Sequence, residues 1–219
     1  MKNWWKIVSV LCVLYAIVGG FLMKVPALPI LHETIRNLYF HVTMWFGMII
    51  ILTVSIIYSI KFLNRSNSDD DIVACEAANV GILMGSLGLM TGSIWAKFTW
   101  GTWWVGDSKL NGAAVTMLIY LAYIVLRGSL DDEQKRGRVS AVYNIFAYVM
   151  MLVFIMIYPR MNDSLHPGNG GNPGFGNYDL DNGMRLVFYP AIIGWTLLGV
   201  WIMSLRVRME KLKRSSLNN

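Results

Sequence analysis

The sequence predicts an all-α integral membrane protein with six transmembrane helices. Of its 219 residues, 55% are hydrophobic and only 15% are charged, whereas soluble domains average about 25% charged residues. The mean hydropathy is +0.48, and the abundant Trp, Tyr and Phe side chains exclude a disordered chain. The chain has too few charged residues to cover the surface of a globular protein in water. We therefore expect a lipid bilayer to surround much of the chain.

Six apolar stretches are long enough to cross a bilayer. A hydrocarbon core of about 30 Å requires about 20 helical residues at about 1.5 Å each. We expect one membrane domain over residues 1–219, with the first stretch kept as an anchor because it has no small-x-small cleavage site. The predicted spans lie near residues 4–23, 38–62, 77–95, 112–126, 139–158 and 184–205.

The basic residues predict the direction of these spans. Counted over alternate loops, thirteen of the 19 Lys and Arg residues fall on the side of the two termini. By the positive-inside rule, both termini are then cytoplasmic, and the loops near 24–37, 96–111 and 159–183 lie outside. The net charge of +6 is thereby explained by topology, so no nucleic-acid partner is predicted.

Several enzyme classes are excluded by missing motifs. The two cysteines, Cys12 and Cys75, lie in different apolar segments, and the sequence contains neither Cys-x-x-Cys nor Cys-x-x-Cys-His. The chain is therefore neither a common thiol-disulfide enzyme nor itself a c-type cytochrome. It also has no phosphate-binding P-loop of an ATPase.

Four glycines of the third span, Gly81, Gly85, Gly88 and Gly92, have helical spacing. At about 100° per residue they form a narrow stripe along one helix face. Such a stripe allows a neighbouring helix to approach closely. We interpret it as a packing surface.

A tryptophan-rich segment follows the third span. It reads Trp100-Gly101-Thr102-Trp103-Trp104-Val105-Gly106-Asp107, and Trp95 and Phe98 precede it. Trp side chains are common where a membrane meets water, so the segment fits an interfacial belt. It also fits a platform for a flat aromatic ligand, since indole rings stack on planar π-systems.

The three histidines, His32, His41 and His166, all lie on the predicted outer side. His41 shares a helix face with Trp45 and Met48, at spacings of four and seven residues. Taken singly, His41 fits a hydrogen-bonded structural residue and His166 a solvated loop residue. Together, two imidazoles beside a tryptophan-rich surface suit haem, whose iron takes two neutral nitrogen ligands.

Haem carboxylates require cationic partners, and five basic residues are available on the same side. Asp107 cannot bind a carboxylate directly, but its position suits orienting a Trp N–H, a His or an Arg. The candidate cations are Arg36, Lys97, Lys109, Arg160 and Arg185.

The residues at 100–107 resemble the tryptophan-rich "WWD" signature of haem-handling proteins in cytochrome c maturation, and within that superfamily the CcmC-type haem-transfer family. The resemblance extends to Tyr39-Phe40-His41-Val42-Thr43-Met44-Trp45, to Ser164-Leu165-His166 and to the six-span layout. The sequence departs from the family pattern at Gly106, where Trp is usual, and at Thr43-Met44, which replace Pro-Ser-Ala.

The resemblance implies a bacterial inner-membrane protein that binds haem b at its periplasmic face. It implies His41 and His166 as axial iron ligands. It also implies transfer of the haem to a periplasmic chaperone of the CcmE type, and it suggests an ABC-type complex of the same pathway as a further partner. The haem-cradling residues implied by the motif are Trp100, Gly101, Thr102, Trp103, Trp104 and Asp107.

Other functions remain as alternatives. A cytochrome c synthase of the same superfamily forms thioether bonds, but such enzymes are usually longer and have more histidines. A bis-histidine membrane cytochrome with two haems needs four ligands at two depths, whereas this sequence has three histidines, all on one side. A pore or transporter is disfavoured because no charged residue lies at mid-span. We therefore predict a haem-binding transfer protein with no enzymatic activity of its own.

Overall fold

The computed structural model describes residues 3–166 and 180–217, and within this part of the chain all regular structure is helical. Six helices are long and apolar enough to cross a membrane, which confirms the predicted fold class. The helices are α1 (Trp4–Leu22), α2 (Leu38–Arg65), α3 (Ser68–Trp100), α4 (Ser108–Gly128), α5 (Glu133–Leu152) and α6 (Asn182–Leu217).

Short irregular helices extend two of these elements. A 3₁₀ helix, His32–Asn37, leads directly into α2. A π-helical segment, Val153–Ile157, and a 3₁₀ turn, Tyr158–Arg160, continue α5. The carbonyl oxygen of Phe154 in the π segment approaches Gly112 of α4 so closely that a Cβ atom there would overlap it.

Several helices extend well beyond the predicted apolar spans. Helix α3 begins at Ser68 rather than near residue 77, because Asn67 caps it: the backbone N–H of Asp69 donates a hydrogen bond of 3.0 Å to Asn67 Oδ1. Three aspartates in its first turn also favour a helix N-terminus. Hydropathy detects the part of a helix that lipid covers, so charged end turns of α3, α5 and α6 were not included in the predicted spans.

The glycine stripe of α3 receives side chains, mainly from α2. A Cβ atom at Gly81 would lie 2.5 Å from Leu52 Cδ2, and one at Gly88 would lie 2.8 Å from Trp45 Cε2. The predicted packing surface is therefore present, and it places α2 and α3 in close contact along most of their length. Helix α1 packs on α6, and α4 packs on α5.

Residues 23–37, 95–107 and 158–166 meet at one end of the bundle, here called the tryptophan end. Thr34 joins the first two segments, since its hydroxyl lies 3.2 Å from Thr99 Oγ1 and accepts a hydrogen bond of 3.0 Å from Trp95 Nε1. Arg36 donates to the carbonyl oxygen of Gly20 at 3.0 Å, near the C-terminus of α1. These hydrogen bonds hold the start of α2 and the end of α3 in place.

The opposite end of the bundle is held by ion pairs. The guanidinium of Arg127 makes two hydrogen bonds, of 2.9 and 2.7 Å, with the carboxylate of Asp71. Arg206 pairs with Glu76, a contact that the spacing of the two residues along the chain does not predict. Both acids are buried, so their charges require such partners.

Candidate functional site

A partly open cavity of about 250 Å³ lies at the tryptophan end. Its walls come from α2, α3, the first turns of α4 and the segment that continues α5. His41 and His166 both line it. Residues 125 positions apart in the sequence are therefore brought to one site by the fold.

His41 lies one turn inside α2, and its orientation is fixed from α3. Its Nδ1 atom lies 2.9 Å from the carbonyl oxygen of Gly88 and 3.3 Å from Thr91 Oγ1. A carbonyl oxygen only accepts, so Nδ1 carries the proton of the neutral ring and Nε2 keeps its lone pair. A histidine held in this way resembles those that ligate metals while donating their other N–H to a carbonyl group.

The glycine stripe makes room for this histidine. A Cβ atom at Gly92 would lie 2.6 Å from His41 Cε1 and 3.1 Å from Nδ1. Two tryptophans meet the imidazole edge to face: the ring centroid of Trp95 lies at 5.7 Å and that of Trp45 at 6.2 Å. Met48, on the same face of α2, is instead buried in the core.

His166 is positioned by Asp107, the residue that ends the tryptophan-rich segment. The Asp107 carboxylate accepts hydrogen bonds from the backbone N–H of Leu165 at 2.7 Å and from Ser164 Oγ at 2.9 Å. His166 Nδ1 lies 3.0 Å from Asp107 Oδ1. This contact is electrostatic, because Nδ1 forms no hydrogen bond of regular geometry.

Asp107 also caps α4, since its side chain accepts a hydrogen bond of 2.8 Å from the backbone N–H of Lys109. Burial raises the pKa of the Asp107 carboxyl, but the neighbouring His166 and the N–H groups of Leu165 and Lys109 outweigh burial and hold this pKa below its usual range. The carboxylate therefore stays ionised and joins the tryptophan segment, the start of α4 and the His166 segment.

The remaining residues of the tryptophan motif occupy different places. Trp104 lines the cavity, and the Trp100 ring centroid lies 5.0 Å from that of His166. Gly101 ends α3 with φ of +79°, the left-handed conformation that glycine adopts without strain. Thr102 and Trp103 are exposed and do not line the cavity.

The two departures from the family pattern are both accommodated. Gly106 is exposed, and a Cβ atom there would meet nothing within 4 Å, so the position has room for a larger side chain. Thr43, in the second departure, donates its hydroxyl to the carbonyl oxygen of Tyr39 at 2.7 Å. Neither departure changes a side chain that lines the cavity.

Two of the five candidate cations, Lys109 and Arg160, line the cavity. Arg36 instead pairs with Glu33 at 2.6 Å and binds carbonyl groups near the end of α1. Lys97 donates to the carbonyl oxygen of Gly101 at 2.9 Å. His32 is exposed and does not line the cavity.

Sequence reasoning missed several residues that shape the site. It interpreted Gly88 and Gly92 only as packing positions, and it did not connect Ser164 with Asp107. The sequence contains only part of the information needed to find these contacts. The glycine stripe ends at the level of His41, and Ser164 precedes His166 by two residues. Contacts between side chains of different helices depend on helix rotation, which the spacing does not define.

Comparisons with known proteins show the family of this chain. The family model described as "Heme exporter protein C" (CcmC) matches residues 1–219. The chain is 26% identical over 212 residues to "Heme exporter protein C" of Escherichia coli strain K12, covering 94% of this chain and 81% of the relative. It is 25% identical over 211 residues to the Rhodobacter capsulatus protein of that name, covering 94% of this chain and 85% of the relative. The Paracoccus denitrificans protein of that name is 27% identical over 203 residues, covering 93% of this chain and 83% of the relative.

Proposed function

This chain belongs to the heme exporter protein C family, and from that membership together with the cavity we propose that it binds haem b and transfers it during cytochrome c maturation. The iron is held between His41 and His166. The acceptor is a periplasmic haem chaperone of the CcmE type. The protein makes and breaks no covalent bond of its own.

The observation that carries this proposal is the meeting of His41 and His166 in one cavity. His41 presents Nε2 as a lone-pair donor because Nδ1 donates to Gly88. In His166, Asp107 lies beside Nδ1, which leaves Nε2 as the ligating nitrogen of that ring as well. A hydrogen bond from Nδ1 to this carboxylate in the haem-bound protein would raise the basicity of the ring.

Aromatic side chains around the two histidines suit a porphyrin. Trp45, Trp95 and Trp104 line the cavity, and Trp100 lies against His166. Indole rings contribute large apolar areas and favourable stacking to a planar ligand. Gly101, Thr102 and Trp103 lie outside the cavity, where they are accessible to a partner.

The tryptophan end is the periplasmic face in this proposal, and both termini are cytoplasmic in a bacterial inner membrane. The support is the distribution of basic residues together with the multi-pass fold. Release of haem to the chaperone follows exchange of one axial histidine for a ligand from the chaperone. An ABC-type complex of the same pathway is a further partner.

Absorption spectroscopy of the protein in detergent tests the axial ligands. We expect a low-spin bis-histidine haem spectrum for the wild type. His41→Ala and His166→Ala should each weaken it or convert it to a high-spin spectrum, because one axial ligand is lost. His32→Ala is the matched control and should leave the spectrum unchanged, since His32 does not line the cavity.

Loading of a purified CcmE-type chaperone then tests transfer. Haem should move from the wild-type protein to the chaperone, and both ligand variants should load it poorly. A wild-type spectrum in both ligand variants would show that these histidines do not bind the iron. Formation of thioether-linked product by this protein alone would show an enzyme instead.

A further inference from the structure

We propose that His166, rather than His41, is the axial ligand that a partner replaces, and that Ser164 is the positioning residue that sets how readily His166 leaves. This inference rests on the proposed haem-binding function and deepens it, because it assigns the order in which the two histidines are exchanged. His166 leaves as a neutral imidazole: the bond between its Nε2 and the iron breaks, and a neutral donor atom of the partner binds in its place, so no electron or proton is transferred.

His41 is held by the packed helices of the fold. Its backbone belongs to α2, whose start is tied to α3 by a hydrogen bond of 3.0 Å from Asn37 Nδ2 to the carbonyl oxygen of Thr91. Its ring fills the space that Gly92 leaves, and its Nδ1 atom lies 2.9 Å from the carbonyl oxygen of Gly88. Moving this imidazole away from a ligand would therefore require α2 to shift against α3, and closely packed helices resist such a shift.

His166 is held by a short segment of irregular backbone, residues 161–166. Ser164 Oγ donates to the Asp107 carboxylate at 2.9 Å and accepts a hydrogen bond of 3.1 Å from the backbone N–H of His166. The backbone N–H of Leu165 donates to the same carboxylate at 2.7 Å. These three hydrogen bonds converge on one carboxylate, so the segment can open locally while the helices around it stay intact.

The chain reaches the His166 segment through irregular helical turns. The π-helical segment Val153–Ile157 and the 3₁₀ turn Tyr158–Arg160 replace α-helical geometry after α5. Pro159 lies in the second of these turns and has no backbone N–H to donate. Because such turns often mark a hinge in a helix, we expect the segment to pivot at residues 158–160 while α5 stays packed.

Burial does not distinguish the two histidines, because His41 is 9% exposed and the side chain of His166 is 11% exposed. The difference lies in what must move for each ring to leave. Trp100, whose ring centroid lies 5.0 Å from that of His166, is the last residue of α3 and stays with that helix when the segment opens. The position that His166 vacates then lies beside the exposed tryptophans of the motif, where a partner can reach it.

Replacement of the departing histidine by carbon monoxide in the ferrous haem-loaded protein tests the inference. At high carbon monoxide concentration, the replacement rate equals the rate at which the histidine leaves. Ser164→Ala removes hydrogen bonds of the His166 segment but changes no residue that lines the cavity. We expect about tenfold faster replacement, the effect of one hydrogen bond to a charged group. Ser164→Thr keeps the hydroxyl and should restore the wild-type rate.

Asn37→Ala is the matched control on the side of His41. It removes one side-chain hydrogen bond between the start of α2 and α3, and it likewise changes no residue that lines the cavity. The replacement rate should stay at the wild-type value, because His41 is not the ligand that leaves. Acceleration in Asn37→Ala but not in Ser164→Ala would assign the exchange to His41 and overturn the inference. Equal acceleration in both variants, or in neither, would also overturn it, since Ser164 would then have no specific effect on His166.

Amide hydrogen exchange in the haem-free protein measures the same difference in support without iron. The backbone N–H groups of Leu165 and His166 should exchange faster than those of α2 around His41, and Ser164→Ala should raise exchange at residues 164–166 alone. Equal protection of the two regions would contradict the inference. A wild-type spectrum without two histidine ligands overturns the proposed function before any rate is measured. A bis-histidine spectrum with an unchanged rate in Ser164→Ala overturns the present inference alone.

Discussion

The two halves of the α2–α3 contact use the same glycine stripe for different purposes. Towards the opposite end, Gly81 receives Leu52 and Gly85 receives methionine side chains, so this half is ordinary core packing. Towards the tryptophan end, Gly88 receives Trp45 and Gly92 receives His41. A repeated small residue thus brings two helices together along their length, and the partner side chain decides whether the contact is core or site.

The charges of the two ends differ in a corresponding way. At the opposite end, buried acids meet arginines, as in the pair of Asp71 with Arg127. At the tryptophan end, Lys109 and Arg160 line a cavity that has no acidic lining residue among those described. A buried ion pair matters most when it is broken, because the remaining charge is then left in the interior without its partner.

The largest effect that we expect comes from breaking the ion pair at the opposite end. Arg127→Ala should lower the free energy of unfolding by about 3–5 kcal/mol, because it leaves the Asp71 carboxylate buried without its partner. Denaturant titration in mixed micelles measures this loss. The double variant Asp71→Leu/Arg127→Met should recover much of the stability. Haem affinity of the folded fraction should not change in either protein, and a specific loss of haem would contradict the proposed separation of the two ends.

Asp107 and Asp132 allow a matched comparison of the two ends. Both cap a helix, since Asp107 accepts from Lys109 N at 2.8 Å and Asp132 from Lys135 N at 2.6 Å. Asp107→Ala should weaken haem binding tenfold to a hundredfold, because charge-assisted hydrogen bonds of about 1.5–3 kcal/mol no longer hold the His166 segment. Asp132→Ala should remove only a cap, at about 1 kcal/mol of stability, and should leave haem affinity unchanged. Equal haem affinities in the two variants would show that Asp107 does not position His166.

Adding one methyl group to each half of the stripe tests the comparison directly. Gly81→Ala and Gly92→Ala should each lower stability by about 1–3 kcal/mol, the usual cost of overpacking. Only Gly92→Ala should change the haem spectrum, because its Cβ atom would lie 2.6 Å from His41 Cε1. Unfolding and absorption measurements on the same samples separate the two effects, and an altered spectrum in Gly81→Ala would argue against this division.

The smallest effect is expected within the tryptophan motif. Trp104→Leu should weaken haem binding severalfold, in line with the 0.5–1.5 kcal/mol that aromatic pairs contribute beyond buried area. Trp103→Leu should leave haem affinity within about twofold, since Trp103 does not line the cavity. Titration in detergent measures both affinities. A larger effect of Trp103 would place it in contact with the ligand.

The sequence was most informative where lipid dictates composition. Helix α2 begins at Leu38, as predicted, because the apolar run begins there, and α1 ends within a residue of its predicted bound. The ends of α3 and α6 were underestimated, since their outer turns carry charged residues that pair with one another, such as Lys211 with Asp69 at 2.7 Å. Hydropathy does not detect such ion pairs, nor the Asn67 cap at the start of α3.

At the site, residue types were more predictable than contacts. His41, His166 and the tryptophans were identified from their chemistry and from the resemblance, and their role in binding haem stays a prediction. The contact between Asp107 and His166 joins residues 59 positions apart in the sequence. The space that Gly92 leaves for His41 depends on how α3 is rotated against α2. Such tertiary relations follow from packing, which sequence spacing alone does not specify.

The partly open shape of the cavity has a kinetic consequence. Enclosed pockets bury about 70–90% of the surface of a ligand, and differences in affinity between related complexes arise mainly from dissociation rates. A porphyrin whose edge stays uncovered forms fewer contacts that must break on leaving, so its residence time is shorter than in a closed haem pocket. For a protein that transfers its ligand, the residence time limits the rate of transfer. A more enclosed cavity would lengthen the residence time and slow each transfer.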